Sequence, residues 1–104
     1  MIYDENLQII KETITSILPD CRIILFGSRG RKDHDEQSDY DILVIVKQNL
    51  SIKEKIEDES KIRKLLAKAY IDIDIIVKSE SDVPVHINRI DSIVREALET
   101  GEAI

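Results

Sequence analysis

Two aspartates separated by one residue, Asp39 and Asp41, are the clearest candidates for chemistry in this sequence. They stand at the start of an apolar segment, Tyr40 to Val46, that is typical of a buried strand. Side chains two positions apart on a strand point to the same face, so we expect both carboxylates to project together. Adjacent carboxylates repel unless a cation lies between them, and Mg²⁺ prefers such oxygen ligands. The pair therefore predicts a magnesium site, with two solvated aspartates as the alternative.

A glycine and a serine, Gly27 and Ser28, directly follow another apolar segment, Arg22 to Phe26. Glycine at the end of a strand lets the backbone approach a ligand closely. The N–H groups and the serine hydroxyl of such a turn can bind phosphate oxygens, and the basic sequence at 29–32 adds positive charge. The spacing of a P-loop or of a dinucleotide fingerprint is absent. The pattern predicts a phosphate-binding turn or, alternatively, a solvated basic loop.

A third acidic feature lies in the apolar segment from Ile71 to Val77, which contains Asp72 and Asp74. A charged side chain in a buried strand is costly unless it is paired or bound to a metal. If this strand neighbours the one that carries Asp41, one of the two aspartates can complete a cluster of three carboxylates. The alternative is an edge strand on which both aspartates face water.

Helical patterns surround these three strands and must position them. Leu7 to Leu18 shows the period of an amphipathic helix, and Pro19 ends it. Ser51 and Glu54 form a capping box for a second helix that reaches about Tyr70, with a sparse stripe of Ile52, Ile56, Leu65, Leu66 and Ala69. A last helix is predicted from Ser81 to the C-cap Gly101. The order predicts the α/β (α+β) class, a small mixed β-sheet packed with helices, in a single domain over residues 1–104.

The composition limits the classes of function. The chain has 104 residues, of which 42% are hydrophobic and 35% charged, and its net charge is −6. This balance disfavours disorder, a membrane span and a broad basic face for direct nucleic-acid binding. Cys21 is the one cysteine, and the acidic N-terminal residues do not look like a secretory signal. We therefore expect a cytoplasmic protein.

Taken together and in this order, the motifs resemble the minimal nucleotidyltransferase (MNT) family of the DNA polymerase β-like nucleotidyltransferase superfamily. The match lies in Phe26-Gly-Ser-Arg-Gly-Arg31 and in Ser38-Asp-Tyr-Asp-Ile-Leu-Val44, and it covers nearly the whole chain. The sequence departs from the family's pattern at Gly30, where alanine is common, and at Lys32, where glycine is common. The resemblance implies the polymerase β-like nucleotidyltransferase fold.

The resemblance also implies roles for individual residues. Asp39, Asp41 and Asp74 match the catalytic aspartates that bind Mg²⁺, and Asp72 is the alternative to Asp74. The nucleotide-binding positions that match are Gly27, Ser28, Arg31 and Ser38. The reaction implied is transfer of AMP from ATP to a hydroxyl group.

Members of this family commonly act as antitoxins that adenylylate a tyrosine of a HEPN ribonuclease toxin. The resemblance therefore implies a HEPN-type toxin as the partner, in a hetero-oligomer. Two alternatives stay open at the level of sequence. The domain could neutralise its partner by contact without catalysis, or it could be the catalytic subunit of a two-subunit transferase that acts on a small hydroxylated acceptor.

Overall fold

A four-stranded mixed sheet forms the centre of the fold in the computed structural model, which describes residues 5–27, 40–87 and 92–104. Its strands are β1 (Cys21–Phe26), β2 (Tyr40–Val46), β3 (Ile73–Ser79) and β4 (Glu102–Ala103), in the spatial order β3-β2-β1-β4. β1 is antiparallel to both of its neighbours, β2 and β4, whereas β2 and β3 are parallel. The predicted mixed sheet with packed helices is confirmed.

Helical segments pack on this sheet: α1 (Glu5–Ile17), α2 (Ile52–Ala67), α3 (Val83–Ile87) and α4 (Ile93–Thr100), with a 3₁₀ turn at Glu80–Asp82 before α3. Helix α2 connects the parallel strands β2 and β3, as a crossover between parallel strands requires. In the described part of the chain, no helix has the length and apolar character needed to cross a bilayer.

Both faces of the sheet are covered, which explains why β1 and β2 read as continuous apolar segments. On one face the strands pack against Ile10 and Ile14 of α1 and against Ile62 and Leu66 of α2. On the other face α4 contributes Val94 and Ala97, which pack with strand residues Ile24, Phe26, Leu43 and Ile45. Alternate residues of each strand therefore belong to different hydrophobic clusters.

The start of α2 agrees with the sequence, but its predicted stripe agrees only at Leu66. The Glu54 N–H donates to Ser51 Oγ at 3.1 Å, and the Ser51 N–H donates to Glu54 Oε1 at 3.0 Å, which is the capping box. Ile52 and Ile56, however, are 75% and 58% exposed, and Leu65 is also exposed. The buried face is set by the sheet beneath the helix, so α2 buries Ile62, which the stripe did not include, together with the predicted Leu66.

The prediction of one helix from Ser81 to Gly101 is wrong at Ser92. This residue is extended (φ −74°, ψ 127°), and its hydroxyl accepts a hydrogen bond of 3.3 Å from the Arg95 N–H at the start of α4. An N-cap residue lies outside the helix that it caps, so α4 begins at Ile93. The apolar period continues through residues 83–98, and periodicity alone did not reveal this break.

Strand β4 was missed because two residues are too few for a pattern. Gly101 ends α4 as predicted, with its N–H donating to the Ala97 carbonyl at 2.8 Å. A Cβ on Gly101 would lie 2.6 Å from Ile24 Cγ2 and 2.9 Å from the Leu25 carbonyl oxygen. The glycine thus lets the chain pass closely over β1 and pair with it.

Candidate active site

The parallel pairing of β2 and β3 brings Asp41 and Asp74 together. The two residues are partners in the strand register, with Ile42 opposite Ile75 as the next pair. Neighbouring strands lie about 4.8 Å apart, so side chains at paired positions on one face are in direct reach of each other. Asp41 is half-buried and Asp74 is exposed. Two carboxylates are therefore placed side by side near the first residues of β2 and β3.

Gly27 approaches Asp41 from the neighbouring strand β1. It follows Phe26, which is the register partner of Asp41, and its φ is +70°. A Cβ at position 27 would lie 3.0 Å from Asp41 Cγ and 3.2 Å from Asp41 Cβ, and it would overlap Asp41 Oδ2. The position thus needs glycine both for its backbone conformation and for the space that the carboxylate occupies.

An open cleft of about 330 Å³ connects these groups. One wall is formed by the ends of the strands, and the other by the first turn of α4. The lining residues are Phe26, Gly27, Asp41, Asp74, Ile75, Ile76, Ile93 and Glu96. Three of the residues singled out by sequence, Gly27, Asp41 and Asp74, thus share one cleft.

Asp72 does not line this cleft. It precedes β3 and is exposed, and its backbone carbonyl accepts a hydrogen bond of 3.3 Å from the Tyr40 N–H. The register distinguishes the two candidates for the third carboxylate. Asp74 is paired with Asp41, whereas Asp72 precedes Ile73, the first residue of β3.

Tyr40 stabilises the start of β2 from the other face of the sheet. Its ring is 5% exposed and belongs to the cluster formed with α1 and α2, as alternation along the strand predicts. Its hydroxyl accepts a hydrogen bond of 3.3 Å from Asn6 Nδ2 of α1. The buried ring anchors the backbone immediately before Asp41.

The remaining predicted site residues, Ser28, Arg31, Ser38 and Asp39, lie outside the described residues. Within residues 5–27, 40–87 and 92–104, acidic, histidine and cysteine side chains form no group of three suited to a metal ion. Asp41 and Asp74 thus supply two of the three predicted carboxylates from the described part of the chain.

Sequence reasoning missed Ile93 and Glu96. They are three positions apart, so they share one side of α4. No motif marks them, and their place in the cleft depends on how α4 packs against β1. The available signal was the capping serine, Ser92, which fixes where the helix begins.

Comparison with known proteins identifies the family of the chain. Residues 7–99 match the family model described as "Nucleotidyltransferase domain". The chain is 42% identical over 78 residues to a Methanocaldococcus jannaschii protein named "Putative protein adenylyltransferase", a match that covers 70% of this chain and 75% of that protein.

Solved structures have the same fold. A crystal structure described as "a putative nucleotidyltransferase" from Sulfolobus solfataricus superposes with a TM-score of 0.59 at 25% identity, covering 78% of this chain and 70% of that one. The structure of a tri-AMPylated Shewanella oneidensis HEPN toxin in complex with MNT antitoxin matches with a TM-score of 0.56 at 22% identity, covering 95% of this chain and 68% of that chain.

The family match and the curated relative thus identify an enzyme of the nucleotidyl-transferring class. The chain belongs to the nucleotidyltransferase domain family. The nucleotidyltransferase family inferred from the residues around Gly27 and Asp41 is confirmed at the level of this domain family.

Proposed function

We propose that this protein is a Mg²⁺-dependent adenylyltransferase that transfers AMP from ATP to a protein hydroxyl. The observation that carries the proposal is the pairing of Asp41 with Asp74 in a cleft that Gly27 also lines. Asp39 is proposed as the third carboxylate, because it precedes Asp41 by two positions in the sequence, the spacing at which residues of a strand share a face.

The donor set suits magnesium. Two carboxylates on adjacent strands supply hard oxygen ligands from a rigid sheet, and the ligand set leaves room for substrate phosphates and water. Because Gly27 has no Cβ, the Asp41 carboxylate can occupy the space that a side chain at position 27 would fill. When bound, Mg²⁺ neutralises charge on the phosphates as it develops in the reaction.

The residues of the cleft and of the following turn are proposed to have distinct roles. Gly27 lets the chain turn toward the phosphates, and Ser28, Arg31 and Ser38 are proposed to bind them. The acceptor oxygen attacks the α-phosphorus, the new oxygen–phosphorus bond forms, and the bond to pyrophosphate breaks. Asp74, on the strand farther from the glycine turn, is proposed to accept the proton of the attacking hydroxyl.

We propose that the acceptor is a tyrosine of a HEPN-type toxin, and that the protein acts as its antitoxin. The name of the Methanocaldococcus jannaschii relative and the complex of the Shewanella oneidensis proteins support this choice. We further propose a single domain over residues 1–104, a cytoplasmic location and a hetero-oligomer with the toxin. The net charge of −6 supports a protein partner rather than direct binding of nucleic acid.

Transfer of label from [α-³²P]ATP tests the proposal, with a co-purified HEPN-type partner as the acceptor. Asp41→Asn and Asp74→Asn are expected to abolish labelling of the partner. Asp72→Asn is the matched control, because it removes an exposed carboxylate near β3 that does not line the cleft. Full neutralisation of the toxin by the Asp41→Asn variant would favour inhibition by contact, and label on a small molecule would favour the two-subunit transferase.

A further inference from the structure

Helix α2 ends in a turn that holds Tyr70 in a strained backbone conformation. The Tyr70 N–H donates to the Ala67 carbonyl and the Ile71 N–H donates to the Leu66 carbonyl, each at 3.0 Å. These two hydrogen bonds form a Schellman motif, whose left-handed position is usually glycine. Tyr70 occupies that position with a φ of +59°. A bulky residue with a positive φ is an outlier, and such outliers indicate a role beyond the fold.

The tyrosine ring adds little to the packing of this turn. The Schellman motif is stabilised by Ile71 and Leu66, which are 3% and 0% exposed and belong to the same hydrophobic cluster. Tyr70 itself is 96% exposed, so its ring and hydroxyl lie in solvent. Glycine would suit the backbone better at this position, so we look for the role of the residue in its exposed hydroxyl.

The phenol hydroxyl is the chemical group that the proposed reaction modifies. In the described part of the chain the tyrosines are Tyr40 and Tyr70, and they differ in access. The Tyr40 ring is 5% exposed, and its hydroxyl accepts a hydrogen bond from Asn6. Of these two phenols, Tyr70 therefore presents the one that an enzyme can reach.

The position of Tyr70 separates it from the cleft of its own chain. Helix α2 packs on the face of the sheet that buries Ile62 and Leu66, whereas the cleft opens beside α4 on the other face. Tyr70 follows the end of α2 and does not line the cleft. Transfer of AMP to this hydroxyl therefore requires the cleft of a second copy.

The segment that ends at Tyr70 is basic, although the chain as a whole is acidic. Residues 61–70 contain four cations and no acidic residue, whereas the net charge of the chain is −6. All four cations are exposed: Lys61, Arg63, Lys64 and Lys68. Opposite charge therefore favours the approach of this segment to a second copy of the chain.

We propose that Tyr70 is an acceptor of AMP, which is transferred between two copies of this chain. The Tyr70 hydroxyl oxygen of one copy attacks the α-phosphorus of ATP in the cleft of the other. The new oxygen–phosphorus bond forms, the bond to pyrophosphate breaks, and the hydroxyl proton passes to Asp74 of the copy that holds the ATP. This inference rests on the proposed function, because it uses the same site and adds an acceptor besides the toxin.

Transfer of label between two variants tests the inference without the toxin. The donor is Tyr70→Phe, which keeps the cleft, and the acceptor is Asp41→Asn with a tag that separates the two chains by size. With Mg²⁺ and [α-³²P]ATP we expect label on the acceptor only in the mixture, and tandem mass spectrometry is expected to locate AMP on Tyr70. An acceptor that also carries Tyr70→Phe is expected to lose the label. Tyr3→Phe in the acceptor is the matched control and is expected to keep it.

The basic segment provides a second readout. An acceptor with Lys64→Gln and Lys68→Gln is expected to be labelled about tenfold more slowly, because two attractive charges are lost. The matched control carries Lys11→Gln and Lys53→Gln, which remove the same charge from α1 and from the first turn of α2, and little effect is expected. Equal slowing by the two pairs would overturn the assignment of this segment as the contact surface.

The outcomes separate this inference from the proposed function. Circular dichroism verifies that each variant is folded. A Tyr70→Phe donor that labels the co-purified HEPN-type partner but not the Asp41→Asn acceptor would overturn the inference and leave the proposed function standing. Label on another residue of the acceptor would overturn it as well. A wild-type chain that labels neither the partner nor itself would overturn the proposed function.

Discussion

Gly27 and Asp41 are packed so closely that a methyl group at position 27 would overlap the aspartate carboxylate. The contact joins the end of β1 to the start of β2, which are paired through Phe26 and Asp41. The geometry of the carboxylate pair thus depends on a residue that has no side chain.

We expect Gly27→Ala to lower AMP transfer about 100-fold, because displacement of a catalytic carboxylate by about 1 Å has effects of that size. The positive φ adds about 1 kcal/mol of backbone strain. Labelling rates per folded molecule, together with thermal unfolding, separate the two effects. Gly101→Ala is the control: it introduces a clash beside Ile24, away from the carboxylates, and is expected to reduce stability more than activity. Equal loss of activity in both variants would contradict the assignment.

The exposed edge of β3 is protected by a helix side chain. Glu59 Oε2 of α2 accepts a hydrogen bond of 2.8 Å from the Val77 N–H, which faces away from β2. Glu59→Ala leaves this partly buried N–H without its acceptor, and we expect a loss of about 1–2 kcal/mol in the free energy of unfolding. Glu59→Gln keeps an acceptor oxygen and is expected to stay within about 0.5 kcal/mol of wild type. Urea denaturation measures both, and equal stability of the two variants would show that the hydrogen bond contributes nothing.

Stability is expected to depend on pH through Asp82. The hydrogen bond from Lys55 Nζ at 2.6 Å, followed by that from the Ser79 N–H at 2.9 Å, holds the pKa of Asp82 below its usual 3.8. A carboxyl whose pKa is lowered in the folded state contributes stability above its unfolded pKa, and the contribution is lost as the pH falls through the folded value. Because both side chains keep some contact with solvent, we expect about 0.5–1 kcal/mol.

Comparison of Asp82→Asn with wild type by urea denaturation at neutral pH and below pH 3.8 measures this contribution. The variant is expected to be less stable at neutral pH and to converge on wild type in acid. Asp20→Asn removes the exposed ion pair with Lys47 and is the control, with little effect expected at either pH. A constant difference between Asp82→Asn and wild type across this range would rule out the ionised carboxylate as the cause.

The capping serine of α4 is expected to matter for the whole C-terminal segment. Ser92→Ala removes the hydrogen bond to the Arg95 N–H and is expected to cost about 1 kcal/mol. Ser92→Asp keeps a capping oxygen and adds a charge that suits a helix N-terminus, so it should restore the stability. Hydrogen exchange of the Val94 to Ala97 amides provides a local readout. Equal protection in both variants would show that the cap does not stabilise α4.

The sequence predicted the strands well where their residues are buried on both faces. The bounds of β2 agree at Tyr40 and Val46, because both ends of this strand are marked by a change from apolar to polar residues. β3 begins at Ile73 rather than Ile71, because its pairing with β2 begins opposite Tyr40. A sequence pattern within one strand does not reveal the register in which that strand pairs with its neighbour.

The same limit applies to the site. Asp41 and Gly27 were identified from local patterns, whereas the preference for Asp74 over Asp72 required a resemblance to a family. The pairing of Asp41 with Asp74 depends on tertiary structure, and so does the position of Glu96 in the cleft. Local sequence patterns thus do not predict which side chains from distant parts of the chain come together in the site.

The parallel pairing of β2 with β3 also has a consequence for how the molecule acquires its activity. Asp41 and Asp74 are 33 positions apart, and the intervening chain contains the whole of α2. Non-local parallel contacts form slowly, because the loop between them must close before they contribute energy. During synthesis, a chain that has emerged only as far as α2 contains Gly27 and Asp41 but not yet Asp74. The proposed pair of catalytic carboxylates is therefore assembled in the same step as the pairing of β3 with β2.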